Sequence, residues 1–527
     1  MDNTLKGRNK FVWLCSCIAV VLAAVLFCIL SFAAILQTCR IDQANPYSEI
    51  VNFDNDLVLT NLALIGLSVL GALFLLRKNV SISKVNTNFI VGVMLLVTTI
   101  LSLAWVNLVQ SISSGDAMIL LNTARDAAQN KYNSFFTSWD YYGNYSYYLY
   151  YPFQLGYVFF AEILFRIFGT GCSDILFQIP NVIALDFIYV GMVMIAKRLF
   201  DRKSVTNLTA IILTVCFQPM FMTTFTYGIL LGLAFSVWSV YHTIRFMQES
   251  KIKNAVFAVI LIAVSVLLKY NNMIVLAAIC ISLVLHVIDK KKFIALAVAA
   301  AMVLCSVGLQ KGIIASYAAR SGATLNTQVS QTLYAYLGIS DSGMAPGWYN
   351  GKAMETLRDA QMDVNKANET AKQGISDRMK YLSANHQLGE FYWKKFLSQL
   401  NEPSFESIWL SQVRKHNYPE GQPLPKIVDS VYTGGLQKVL DNWFNYYVMM
   451  IYIFFTAGMI WLIYRKKLNT CSLILPVSIL GGVIYHMIFE GKSQYLLPYF
   501  VMMMPFAAYG FIESMRAIHK KSSFLFK

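Results

Sequence analysis

Residues 147–169 read YYLYYPFQLGYVFFAEILFRIFG, apolar enough to pass for a membrane crossing yet carrying Glu162 and Arg166 one helical turn apart. Whether this stretch crosses settles the side on which every later segment lies. Charge at the centre of a span is expensive, whereas an aromatic helix with a charged stripe suits the boundary between lipid and water. Seven Tyr or Phe between Tyr147 and Phe159 favour the boundary. We read 147–169 as an interfacial or re-entrant helix, with an ordinary tilted span as the alternative.

The composition sets the membrane context. Of 527 residues, 57% are hydrophobic and 13% charged, about half the ~25% charged fraction of soluble domains. Mean hydropathy is +0.52. Runs of about 20 apolar residues, long enough for a ~30 Å hydrocarbon core, fall at 11–36, 57–76, 88–109, 174–197, 205–224, 227–247, 254–269, 272–289, 293–314, 442–464, 470–489 and 494–514. The first is too long for the apolar region of a cleaved signal peptide and is expected to stay as a span. The fold class is an all-α polytopic membrane protein with about 12 transmembrane helices.

A net charge of +15 would suggest nucleic acid in a soluble protein. Here the bases cluster between apolar runs, as at Lys6/Arg8/Lys10, Lys197/Arg198/Arg202/Lys203, Lys290/Lys291/Lys292 and Arg465/Lys466/Lys467. Every second connection is basic, so these go to the cytoplasm together with both termini, and no nucleic-acid partner is implied. The nine Cys lie mostly within apolar runs with no CxxC pair, which speaks against a disulfide or metal framework. Four parts result: an added transmembrane hairpin (1–87), a core (88–314) with its first outer loop at 110–173, a mixed or helical outer domain (315–441), and the C-terminal spans with a short cytoplasmic tail (442–527).

Three places can carry chemistry. SSGDAMILLNTARDAAQ (113–129) has the form of a capped helix start, which puts Asp116 in a first turn at the outer boundary. There it either offsets the helix dipole, worth ~0.3–1 kcal/mol, or acts as a base. Arg125 and Asp126 are expected to pair locally. In SVLLKYNNMIVLAAI (265–279), Lys269 is a lone outward cation. It either snorkels or meets a phosphate at headgroup depth. In FEGKSQYLLPYF (489–500), Glu490, Lys492 and Tyr495 form an outer mouth, where Lys492 can hold phosphate as a point charge. GMAPGWYNG (343–351) adds Trp348, Tyr349 and Asn350 in a turn, with Tyr151 and Gln154 of the aromatic stretch as further candidate sugar contacts. No nucleotide-binding, HExxH or GxSxG motif has a supporting context.

The order of these pieces resembles the multi-span glycosyltransferases of the C superfamily, relatives of protein O-mannosyltransferases and aminoarabinose transferases. The likeness rests on Asp116 after an outward span, YYPFQLGYVFFAEILFRIFG (150–169), AKRLFDRK (196–203), FQPMF (217–221), LLKYNN (267–272) and EGKSQYLLPY (490–499), and covers about residues 88–512. GMAPGWYNG and WKKFLSQLNEPSFESIW (393–409) look like a Gram-positive branch concerned with cell-envelope glycans. The resemblance implies transfer of a sugar from a polyprenyl phosphate to a cell-wall polymer, glycolipid or protein outside the plasma membrane, with inversion. It implies Asp116 as general base, and Lys269, Lys492, Tyr495 and Glu490 at the donor phosphate. Gln494 stands where relatives have a basic residue, so Lys492 would have to serve. Ala117 follows Asp116 where many relatives have a second acid, so a divalent metal, magnesium or manganese, is left open rather than implied. A transporter or flippase for an envelope lipid or glycan is the alternative; such proteins tend to place repeats and charges at the midplane.

Overall fold

The computed structural model describes residues 9–42, 48–78, 82–138, 145–419 and 422–525. In chain order the helices that matter here are α1 (Lys10–Leu36), α2 (Val58–Arg77), α3 (Thr87–Val109), α4 (Gly115–Ala128), α5 (Leu155–Phe168), α6 (Ile175–Phe200), α7 (Lys203–Thr214), α8 (Ile229–Glu249), α9 (Ile252–Leu268), α10 (Met273–Lys290) and α11 (Ile294–Ser321). After them come α12 (Gln331–Ile339) and α13 (Leu388–Leu400) of the outer domain, then α14 (Gly435–Tyr464) and α15 (Ile474–Ile488). Among the described residues nine helices are long and apolar enough to cross a membrane. Two bent pairs, Lys203–Thr214 with Gln218–Thr224 (45°) and Ser493–Met502 with Met504–His519 (51°), each make one more, and the shorter apolar Ile252–Leu268 completes the expected set. Pro219 and Pro505 lie in the first turn of the second half of each pair, where a residue without an N–H does least harm.

The aromatic stretch 147–169 does not form one helix. A single turn at Tyr147–Tyr150 and a 3-10 turn at Pro152–Gln154 precede α5, which has 14 residues. At 1.5 Å per residue that is about 21 Å, short of a ~30 Å core. Glu162 faces protein, accepting from Arg166 (2.8 Å), Arg320 (2.7 and 2.8 Å) and the Tyr317 hydroxyl (2.5 Å). Phe159, Ile163 and Ile167 are exposed on the other side. Arg320 and Tyr317 belong to the last turns of α11, which runs on to Ser321, while α14 begins at Gly435. The segment expected to form the outer domain is correspondingly shorter than 315–441.

The N-terminal hairpin packs closely against the rest of the bundle. The α1 face Ser16, Val20, Ala23, Phe27, Leu30, Ala34 is buried, a spacing that keeps one stripe against a partner helix. Phe27 packs its ring on Tyr452 and Phe455 of α14, at 5.5 and 4.9 Å. Between α1 and α2 the chain also forms an antiparallel pair, β1 (Gln37–Ile41) and β2 (Val51–Asn55). It joins the outer domain through Cys39 N to Asn401 O (2.9 Å) and Val51 N to Met344 O (3.1 Å). A carboxylate also lies inside the spans. Asp186, in the middle of α6, accepts from Thr98 and Thr99 of α3 at 2.7 and 2.6 Å.

The segments expected inside and outside separate to opposite ends. At the basic end, Arg202 and Arg465 meet on Glu513, Lys292 reaches Ser250, and Asn9 meets Asp289. At the other end, residues from the first outer loop, the Lys269 turn, the outer domain and the 489–495 mouth line one cavity.

Candidate functional site

Asp116 is placed by a clamped strand. Ser111 bridges His416, Ile112 N donates to Lys415 O (2.8 Å), and Gln178 of α6 reaches Ser111 O (2.7 Å). Ser113 N donates to Asp174 (2.6 Å), and its hydroxyl meets Thr226 at 2.7 Å. Gly115 then takes φ +56° to start α4, a left-handed conformation open to glycine. Ser114 holds the N-cap position without a side-chain cap bond. The Tyr227 hydroxyl donates to Asp116 Oδ2 at 2.9 Å and itself accepts from Gln154 Nε2 at 2.5 Å. Burial raises Asp116 above the ordinary carboxylate range, against the Tyr227 bond and the charge of Lys269, which pull it down. Arg125 and Asp126 do not pair: Arg125 turns to Asn122 and the Phe165 ring, Asp126 to Ser134.

Lys269 ends α9 in extended backbone, and its ammonium lies 3.9 Å from the Tyr227 ring centroid and 5.9 Å from that of Tyr495. Three glycines let the end of α9 come this close. A Cβ at Gly156 would stand 1.9 Å from Leu267 O, one at Gly228 (φ +80°) 2.3 Å from Leu268 O, and one at Gly232 2.9 Å from Lys269 Cβ. Because the first of these clashes is with backbone, Gly156→Ala is expected to cost about 1–3 kcal/mol of stability, read as a lower unfolding midpoint. Burial pulls Lys269 down to about 7, with Asp116 and Glu490 opposing.

The mouth 489–495 is held from several sides. His486 Nδ1 meets Glu490 O at 2.8 Å, Gly491 N donates to Gly347 O at 2.9 Å, and the Tyr495 hydroxyl lies 3.4 Å from Glu490 Oε1. Burial raises Glu490 to about 7, opposed chiefly by Lys492.

Lys492 departs from its expected place at the phosphate. It is buried behind the mouth, paired with Glu49 of the N-terminal hairpin and 5.9 Å from the Trp348 ring centroid. Burial lowers its pKa, but Glu49 and Glu406 more than offset this and keep it charged. Around it Glu402 accepts from Ser404, Ser493 and Glu406 N, while Glu406 accepts from Gln494 N. Removing one partner of a buried pair costs about 3–5 kcal/mol. Lys492→Met, which strands three acids, is expected to destabilise more than Glu49→Gln, and a thermal-denaturation cycle with the double variant reads the coupling.

The cavity measures about 240 Å³. Asp116, Lys269, Glu490, Tyr495, Tyr151, Gln154 and Tyr349 line it; Lys492, Trp348 and Asn350 do not. Trp348 is fully buried with its indole N–H on Ser398 (3.0 Å), and Asn350 is used by Leu337 O and Lys352 N. Tyr147, Tyr227, Tyr334, Tyr485, Gln331 and His486 also line it, and the sequence carries no motif that marks them. Among the described residues no three His, Cys, Asp or Glu group as metal ligands. Asp116 instead has tyrosines 227 and 147 and Lys269 about it, a donor set that does not fit a divalent cation.

Residues 154–309 match the sequence profile described as dolichyl-phosphate-mannose-protein mannosyltransferase. The match takes in 156 of the 527 residues, and over that segment the chain is similar to this family. The matched segment holds Gln154, Tyr227 and Lys269, while Asp116 and Glu490 lie outside it. No curated protein matches its sequence. The oligosaccharyltransferase of Archaeoglobus fulgidus, solved with zinc and sulfate, aligns over 82% of the chain at 14% identity and a TM-score of 0.43. ArnT from Cupriavidus metallidurans bound to undecaprenyl phosphate aligns over 80% at 12% identity and 0.34. The chain spans 50% of the Archaeoglobus protein's length and 77% of ArnT's.

Proposed function

We propose that this chain is a membrane glycosyltransferase that moves a sugar from a polyprenyl-phosphate donor to a hydroxyl of a cell-wall polymer, glycolipid or protein, on the outer side of the plasma membrane. The observation that carries the reading is the pairing, in one cavity, of a carboxylate and a cation that share Tyr227: its hydroxyl binds Asp116 and its ring lies under Lys269. The outer placement is supported by the Lys and Arg clusters at the opposite end.

Asp116 takes the proton of the acceptor hydroxyl as that oxygen attacks the anomeric carbon. The bond from that carbon to the phosphate oxygen breaks, and the electron pair leaves with the polyprenyl phosphate. Lys269 stabilises the negative charge that gathers there. Tyr227, held by Gln154, keeps the carboxylate aimed. With base and departing phosphate on opposite faces of the sugar, the anomeric configuration inverts. Glu490 and Tyr495 stand beside Lys269 at the phosphate.

The test is purified protein in lipid, offered a panel of radiolabelled polyprenyl-phosphate sugars, nucleotide sugars and envelope acceptors. One polyprenyl-phosphate sugar is expected to be consumed, with an inverted product by NMR. Transfer from a nucleotide sugar alone, or a retained configuration, would overturn the reading.

A further inference from the structure

Lys395 of α13 is fully buried, and its ammonium is engaged by backbone rather than by an acid. It donates to Gly338 O at 2.6 Å and to Phe489 O at 2.7 Å. A lysine taken out of water without an opposite charge is costly, so its position calls for an explanation. Gly338 lies near the end of α12, the helix that carries Gln331 and Tyr334 to the cavity. Phe489 adjoins Glu490, which faces the same cavity. One side chain thus joins two walls of the site through their backbones.

The packing around the ammonium fits this role. A Cβ at Gly338 would stand 2.5 Å from Phe489 O, and one at Gly347 (φ +70°) would stand 2.6 Å from Lys395 Cε. Gln399, one turn further along α13, donates to His486 O at 3.3 Å. The carbonyls of His486 and Phe489 are therefore both held by α13, and that of Glu490 by His486 Nδ1.

We propose that Lys395 is a positioning residue: by holding the Gly338 and Phe489 carbonyls together, it sets how deep the Glu490 carboxyl sits in the cavity. It rests on the transferase reading only for what Glu490 does there. The charged groups facing Glu490 are Asp116, Lys269, Lys492, Glu49 and Lys395 itself, and the other titratable ones are His486 and tyrosines 495, 151, 334, 349 and 485. Burial pulls Lys395 down to about 7, with Glu490 opposing.

Two effects of Lys395→Met have opposite signs. Loss of a nearby positive charge raises the pKa of Glu490, whereas release of the turn lets the carboxyl meet water and lowers it. Infrared spectra of the full chain in lipid, with Glu490→Gln subtracted, isolate the carboxylic-acid band of Glu490. Its titration midpoint is expected to move to lower pH in Lys395→Met by about one unit or more. An unmoved midpoint, or one moved to higher pH, would overturn the proposal. Should Lys395→Met fail to fold, Gly338→Ala keeps the ammonium and pushes the Phe489 carbonyl away. The same acid shift is expected there, and its absence counts equally against the role. No donor lipid is present in the titration, so a failed transfer assay and an unmoved midpoint remain separate results.

Discussion

Asp116→Asn is expected to lower sugar transfer by about 10²–10⁴-fold, with folded protein recovered at no loss of stability. An amide cannot take the acceptor's proton, but its carbonyl oxygen can still accept from Tyr227, so the geometry of the loop survives. The stability part follows from proton linkage. Burial raises the carboxyl of Asp116 above its ordinary value, so in that window the folded chain binds more protons than the unfolded one and stability falls as pH rises. Once ionised, Asp116 is therefore a burden on the fold, and a neutral isostere removes it. Parallel measurement of transfer and of the unfolding midpoint separates a base from a structural residue. Lost transfer with an unchanged or higher midpoint supports the base; full transfer in the variant would remove Asp116 from the mechanism.

What the sequence made legible depends on whether a residue's partner is near in the chain or its position breaks a general rule. The uncharged run 11–36 can be read directly, because lipid demands such a stretch. Lys269 stands out because a lone outward cation violates the charge rule that the other clusters obey. Lys492 looks the same by that criterion and behaves differently. Its counter-ion, Glu49, lies 443 residues away, and no local pattern announces the pair. Trp348, set between glycines in GMAPGWYNG, has the composition of an exposed turn. Yet Gly347 and Gly351 take positive φ, and the ring ends in the core on Ser398. The β1–β2 pair was hidden for a related reason, since its outer partners, Met344 and Asn401, come from the outer domain. Nothing in the sequence marks Tyr227, because a tyrosine in a turn between spans is ordinary; only the approach of Gly228 to the end of α9 brings it under Lys269.

Lys269→Met is expected to lower transfer by about 10²–10³-fold, the loss found when one preorganised electrostatic group is removed, and to abolish measurable binding of undecaprenyl phosphate. The same change is expected to raise the unfolding midpoint at neutral pH. Burial brings Lys269 down to about 7 from 10.5. Between those values the unfolded chain binds the extra proton, so stability rises with pH through that window, and below it the full cost of the buried ammonium is felt. A methionine carries no such cost, which is the usual opposition of stability and function at a site. The pH profile gives the sharper test. In the free protein, kcat/KM is expected to fall on the acid side as Asp116 takes a proton and on the alkaline side as Lys269 loses one. Glu490, also raised to about 7, becomes negative beside the phosphate in the same range and steepens the alkaline limb. Lys269→Arg keeps a charge that does not titrate, so whatever transfer it retains is expected to show only the shallower Glu490 limb. An alkaline limb as steep as the wild type's in Lys269→Arg would assign the titration, and with it the phosphate, to another group.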